Sequence, residues 1–222
     1  MAEVLSHAEE DYLKAIYELA EDAGKVSTSA LVQRLGRKAG SVTGMLQQLA
    51  DKKPRLVEYE RHHGVSLTPA GTKIALEIIR HHRLIELYLA ESLGYKWDKV
   101  DAEAEQLEHV ISEEFEDKIS AMLGDPRVDP HGDPIPGKDG SVAPPSRLTL
   151  SEAELGRPVR VARVRDDDPA LLRYLAELGI VPEALITVAE RAPFDGPIHV
   201  TVGELDHALG RSVTDKVFVV AA

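Results

Sequence analysis

The stretch STSALVQRLGRKAGSVTGMLQQLAD, residues 27–51, decides the fold of the first part of the chain. Ser27 is placed to cap a short helix carrying Leu31, Val32 and Leu35. Gly36 to Gly40 break that helix. Val42, Met45, Leu46 and Leu49 then form the i, i+3, i+4, i+7 stripe of a second helix, Gly40 to Asp51. Upstream, Tyr12, Leu13, Ile16, Tyr17 and Ala20 recur at helical spacing over His7 to Glu21, with Ser6 as N-cap. Downstream, Arg55 to Glu60 and Val65 to Leu67 read as two strands around a His62-His63-Gly64 turn. Thr68-Pro69 then supplies an N-cap and an N1 proline for a long helix, about Ala70 to Leu93.

Helix, short helix, polar break, helix and basic hairpin is the order of a winged helix-turn-helix. On such a fold the Gly40 to Asp51 helix enters the major groove of double-stranded DNA. Arg37, Lys38, Ser41 and Thr43 then reach phosphates or base edges, Gly40 and Gly44 permit close approach, and Arg61 lies on the wing. A helical domain with a merely solvated basic face is the bland alternative. A net charge of −12 opposes DNA binding by the chain as a whole, but phosphates respond to a local patch. From Lys25 to Arg61 eight basic residues face three acidic ones, a local balance of about +5. The acidity lies mostly in Glu86 to Asp129 and Asp166 to Asp168.

That acidic region carries a second pattern. A helix read over Val100 to Lys118 places Asp101, Glu105, Glu108 and His109 on one arc of about 100°, beside an apolar arc of Val100, Ala104, Leu107, Ile111 and Phe115. Carboxylates at that border are partly desolvated, and a cation is the simplest compensation. His82 and Glu86, spaced i, i+4, share a face of the preceding helix, and Asp11 borders the buried stripe of the first. The chain has no cysteine, so any metal is held by carboxylates, imidazoles and carbonyls, a hard donor set suited to Mn²⁺ or Fe²⁺. A solvated acidic face with ordinary salt bridges is the competing reading. Glu113, Glu114, Glu116 and Asp117 are read that way. His81 points elsewhere than His82, and His131 has no partner at metal spacing.

The Pro- and Gly-rich run from Asp125 through Ser146 reads as a linker. Beyond Leu148, strands at Val159 to Val164, Leu185 to Ala189, Ile198 to Val202 and Lys216 to Val220, with one helix from Pro169 ending on Gly179, read as a small all-β barrel. Asp166 to Asp168 read as a cluster at that helix's N-terminus. The domain boundaries expected are 1–72 for the winged helix-turn-helix, 73–140 for a helical metal-binding and dimerisation domain, a linker at 141–147, and 148–222 for the barrel. A polar N-terminus and the lack of a long apolar run point away from a membrane and towards the cytoplasm.

These residues carry a resemblance. Asp11-Tyr-Leu-Lys-Ala-Ile-Tyr-Glu-Leu, His82-Arg-Leu-Ile-Glu86, Glu105-Gln-Leu-Glu-His109 and Gly132-Asp-Pro-Ile-Pro-Gly137 resemble the diphtheria toxin repressor family of iron- and manganese-dependent regulators. Glu177-Leu-Gly-Ile-Val-Pro and Ala208-Leu-Gly-Arg resemble the family's SH3-like barrel, related to a small ferrous-transport accessory domain. The resemblance implies a primary metal site of Asp11, Glu105, Glu108 and His109. It implies an ancillary site of His82, Glu86 and Asp101, with a further barrel ligand at Asp166, so two sites per protomer. Asp11 and Glu105 stand where iron-type members place methionine and cysteine, which resembles the manganese type and favours Mn²⁺ over Fe²⁺. Asp101 stands where an iron-type member has histidine, and Pro169 where the barrel's second ligand is expected. The implied protein is a homodimeric, metal-activated repressor of metal-uptake genes that binds a palindromic operator, and not an enzyme. A metal-independent winged-helix regulator and a carboxylate-bridged di-metal enzyme are the alternatives. The second usually needs a Glu-x-x-His pair on each of two helices.

Overall fold

The computed structural model describes residues 5–165 and 168–222. The chain groups into two compact units. One comprises 1–81, 108–111 and 136–141; the other comprises 82–107, 112–135 and 142–222.

In the first unit, α1 (His7–Ala23) begins at a complete capping box. Ser6 accepts from the Glu9 backbone N–H, and the Glu9 carboxylate accepts from the Ser6 backbone. Ser27 caps α2 (Thr28–Leu35), which closes on Gly36 in the left-handed conformation. The third helix, α3 (Ala39–Asp51), buries Val42, Leu46 and Leu49. An antiparallel hairpin follows, β1 (Val57–Glu60) and β2 (Gly64–Leu67), in the register Val57↔Leu67. Leu13, Ile16, Leu31, Val42, Leu46, Leu49, Val57 and Val65 form one core, so the hydrophobic stripes read from the sequence converge as expected. Helix α4 (Pro69–Leu93) opens on Thr68, whose hydroxyl accepts from the Gly71 N–H. Gly71 is obligatory there, because a Cβ would stand 2.0 Å from the Leu56 carbonyl oxygen.

In the second unit the helix read over Val100 to Lys118 is two helices, α5 (Val100–Leu107) and α6 (Glu113–Met122). Ser112 causes the restart: its hydroxyl caps α6 by accepting from the Phe115 N–H, and Glu113, Glu114 and Glu116 fill the first turn. The single helical wheel drawn for this region therefore fails beyond Leu107. Val100 and Ala104 are buried as expected, but Leu107 and Phe115 are exposed. Glu116, expected on a solvated face, is buried, whereas Glu113, Glu114 and Asp117 are exposed.

The run after α6 is irregular as expected, but from Asp129 to Ile135 it is packed and does not behave as a loose tether. Arg83 Nη1 donates to the Pro134 carbonyl (2.6 Å), and the Val164 N–H donates to the His131 carbonyl (2.9 Å). Gly132 lies so close to the strand bearing Ala162 that a Cβ would meet that residue's carbonyl oxygen at 2.0 Å.

The last part is a five-stranded antiparallel sheet in the order β6-β5-β4-β3-β7. Its strands are β3 (Pro158–Val164), β4 (Leu185–Arg191), β5 (Ile198–Val202), β6 (Leu205–Leu209) and β7 (Val217–Ala221). Bulges bend β3 between Val161 and Arg163 and β4 between Val188 and Glu190, curling the sheet around α7 (Pro169–Glu177). A short α8 (Arg211–Thr214) precedes β7. Asp168 caps α7 by accepting from the Ala170 and Leu171 N–H groups. Sequence reading missed β6, whose side chains are mostly exposed and give no alternation. No helix among the described residues is long and apolar enough to cross a membrane.

Candidate metal centre and DNA-facing surface

Three consecutive carboxylates near the start of α1, Glu9, Glu10 and Asp11, point three ways, since successive residues are about 100° apart. In the first unit, Asp11 Oδ1 lies 2.8 Å from His109 Nε2, and Glu108 Oε1 lies 3.4 Å from the same nitrogen. Bonds of about 2.1 Å to an octahedral ion set neighbouring ligands about 3 Å apart, so the spacing suits one small divalent cation. Glu10 takes the other side of the ring, with Oε2 2.7 Å from His109 Nδ1. With an ion bound, that carboxylate would accept from Nδ1–H and leave Nε2 to the ion beside Asp11 and Glu108. The His7 ring stacks on His109 with centroids 4.8 Å apart. Glu108 is buried, and its Oε2 accepts from the Lys14 ammonium at 2.7 Å. His81 Nδ1 is 3.0 Å from the Glu108 carbonyl oxygen and donates to it, which pins the turn after α5.

In the second unit His82 Nε2 lies 3.5 Å from both Glu86 Oε1 and Asp101 Oδ1, and Glu105, expected in the primary site, has its Oε2 3.9 Å from His82 Nδ1. His82 and Glu86 are buried, while Asp101 and Glu105 are exposed. A third constellation was missed by sequence reading. His131, expected to have no partner at metal spacing, has its Nδ1 3.7 Å from Glu86 Oε1, and Asp129 joins them. All three are buried. His131 Nε2 must carry a proton, because it lies 2.8 Å from the Trp97 carbonyl oxygen. Its Nδ1 is therefore the nitrogen aimed at Glu86.

This constellation is electrostatically poised for a cation. Among the described residues, neither oxygen of Glu86 and not Oδ2 of Asp129 has a hydrogen-bond partner. Burial above all, then the nearby charges of Glu86 and Asp133, push the Asp129 carboxyl up to about 8. Arg83, whose Nε is 3.6 Å from Asp129 Oδ2, offsets only part of this. The sequence signal was the Asp-Pro-His-Gly-Asp turn, which brings Asp129 and His131 together by local hydrogen bonds: Asp129 Oδ1 accepts from the His131 and Asp133 N–H groups. Their third partner, Glu86, lies too far away in sequence to be read. Asp166 lies outside the described residues.

On the other functional face of the first unit, Arg37, Lys38, Gly40, Ser41, Gly44 and Arg61 are exposed and Thr43 is half-buried. Cβ atoms built on Gly40 and Gly44 would meet nothing within 4 Å. Lys38 occupies the N-cap of α3, so its charge stands beside free backbone N–H groups, a ready phosphate site.

A winged helix-turn-helix with a basic helix N-terminus, carried in one chain with clusters of carboxylates and imidazoles, defines a metal-dependent DNA-binding transcriptional repressor. Residues 4–65 match the iron dependent repressor N-terminal DNA binding domain, and 68–137 its metal binding and dimerisation domain. Residues 148–221 match the FeoA domain. The chain is 32% identical over 221 residues to the iron-dependent repressor IdeR of Mycobacterium leprae, covering 92% of this chain and 94% of that protein. It is 29% identical over 164 residues to the diphtheria toxin repressor of Corynebacterium diphtheriae, covering 71% and 72%. A solved manganese-dependent transcriptional repressor in complex with manganese superposes with a TM-score of 0.88 at 39% identity, over 96% of this chain and all of that one. The manganese regulator SloR superposes at 0.79 with 29% identity, over 96% and 98%. The chain therefore belongs to the iron-dependent repressor family, the diphtheria toxin repressor family, with an SH3-like FeoA domain at its C-terminal end. The fold class and the resemblance read from the sequence are borne out. The family is one of transcriptional regulators, which removes the di-metal enzyme, and its matched domains imply DNA and a second copy of the chain as partners.

Proposed function

We propose that the chain is a manganese-responsive repressor of metal-uptake genes in the cytoplasm, acting as a homodimer on a palindromic operator. The observation that carries the reading is the Asp11, Glu108 and His109 cluster, hard oxygen and imidazole donors at spacings one small cation can bridge. Those three residues would hold one ion. His82, Glu86 and Asp101 would hold another, with Glu105 beside His82 as a further carboxylate. Glu86, Asp129 and His131 offer a place that shares Glu86 with that second set. The absence of sulfur from all of these favours Mn²⁺.

The residues do the work of coupling. Glu10 keeps the His109 ring oriented, and Lys14 holds one Glu108 oxygen while the other lies beside His109 Nε2. Ligation ties α1 to the turn at Glu108 and His109, restricting the positions open to the DNA-binding helices. Arg37, Lys38 and Arg61 would bind phosphates, while Ser41 and Thr43 reach base edges across Gly40 and Gly44. Because the ion selects the DNA-competent state, DNA must tighten ion binding by the same factor. The iron-dependent curated relatives favour a second reading, Fe²⁺ as the effector. Fluorescence anisotropy with promoter DNA from beside a metal-transporter gene separates the two. Tight binding only with Mn²⁺ supports the first reading, and tighter binding with anaerobic Fe²⁺ the second. Binding unchanged by chelation would refute both.

A further inference from the structure

Glu9 lies two residues before Asp11 and takes no part in the metal cluster, yet it is one of the few buried carboxylates of the first unit. Its two oxygens have separate duties. Oε2 closes the capping box, accepting from the Ser6 backbone N–H at 2.9 Å and the Ser6 hydroxyl at 3.0 Å. Oε1 reaches α3, where it accepts from Gln48 Nε2 at 3.0 Å and pairs with Lys52 Nζ at 2.8 Å. The Lys52 side chain is only 11% exposed, so its pair with Glu9 is largely shielded from water.

The positions of these partners matter. At about 100° per residue, Gly44, Gln48 and Lys52 lie roughly 60°, 20° and 20° from the direction of Ser41. Ser41, Gly44 and Gln48 share one stripe of α3, with Ser41 and Gly44 exposed at its N-terminal end and the C-cap Lys52 following at its C-terminal end. Glu9 therefore clamps the C-terminal end of the surface that meets DNA. Two residues on a helix differ by about 200°, so Glu9 and Asp11 leave opposite sides of the same turn. One side grips α3, and the other faces His109.

We propose, resting on the metal-dependent DNA-binding function above, that Glu9 is the positioning residue that transmits ion binding at Asp11 to the recognition helix α3. A turn of α1 drawn towards an ion moves Glu9 with it, and the buried pair with Lys52 carries that displacement into the DNA-facing stripe. A buried, charge-assisted contact serves this role because it holds one geometry and does not slide as an apolar contact does. Glu9 does not act by binding the ion, and Lys52 does not act by binding phosphate.

The test uses the full chain as wild type, E9Q, K52M and E9Q/K52M. Mn²⁺ affinity without DNA is read from the electron paramagnetic resonance signal of free Mn²⁺. Affinity for the same promoter DNA is read by anisotropy, in chelator and in saturating Mn²⁺. The expected result for E9Q is Mn²⁺ affinity within about twofold of wild type, unchanged DNA affinity in chelator, and a loss of about tenfold in the Mn²⁺-induced gain, with DNA tightening Mn²⁺ reciprocally less. K52M should show the same loss and the double variant no more, as one shared contact requires. A full Mn²⁺-induced gain in E9Q, or additive losses, would overturn the proposal. Equal losses with and without Mn²⁺ would also overturn it, because they would make Glu9 a purely structural residue. If E9Q is unfolded by circular dichroism, K52M decides the matter by the same criteria. If wild type itself gains nothing from Mn²⁺ or Fe²⁺, the proposed function fails, a result distinct from failure of the Glu9 link.

Discussion

Lys14→Met tests whether the metal cluster is built around a pre-neutralised carboxylate. Glu108 is fully buried, and the Lys14 ammonium is 2.7 Å away with its own side chain only 8% exposed. Such a pair adds little stability relative to an apolar pair of the same shape, but removing one partner strands a buried charge. The cost of that is about 3–5 kcal/mol. For a chain of this size each kcal/mol moves the melting temperature by about 2–4 °C, so K14M should melt roughly 6–20 °C below wild type in chelator. Replacing the stranded charge removes its cause, and K14M/E108Q should recover most of the loss. Differential scanning calorimetry of the three proteins in chelator reads the outcome. A K14M protein melting within about 2 °C of wild type would show that Glu108 is well solvated or otherwise neutralised. A double variant no more stable than K14M would show that Lys14 matters through packing, and either result would refute the reasoning.

Saturating Mn²⁺ at about a hundred times its dissociation constant should raise stability by about 2.7 kcal/mol per site, and D11A should lose one such increment in calorimetric titration. H131A should leave Mn²⁺ binding by Asp11, Glu108 and His109 intact while lowering the stoichiometry or affinity measured by equilibrium dialysis; an unchanged isotherm would make the Glu86, Asp129 and His131 constellation structural. Lys38→Ala should weaken binding to every DNA sequence alike and reduce the salt slope by about one, whereas a sequence-dependent loss would place Lys38 on bases. Asp168→Ala should cost about 1 kcal/mol through loss of the α7 cap, seen in urea unfolding, with Mn²⁺ and DNA affinities unchanged.

Local signals determined much of this protein. The stripes of α1, α2 and α3, the caps at Ser6, Ser27 and Thr68, and the alternation of β3, β4 and β5 are all written within ten or so residues, and they produced the winged helix-turn-helix and the barrel. The donor chemistry was equally legible, since a chain without cysteine has only carboxylates and imidazoles to offer. Where two local signals competed, reading went astray: helical periodicity ran through Ser112, whose capping hydroxyl restarts the chain as α6. Tertiary structure alone decided which donors meet. Glu86 and His131 stand 45 positions apart, and no period links them. The packing of the Asp129 to Ile135 turn against β3 fixes where His131 lies, and burial then makes its carboxylate neighbours costly without a cation. Asp11 reaches Glu108 and His109 in the same way, and Glu9 reaches Lys52. Sequence sets which charges a chain carries, but the cost of each depends on distance and on exclusion of water, and only the folded chain sets those.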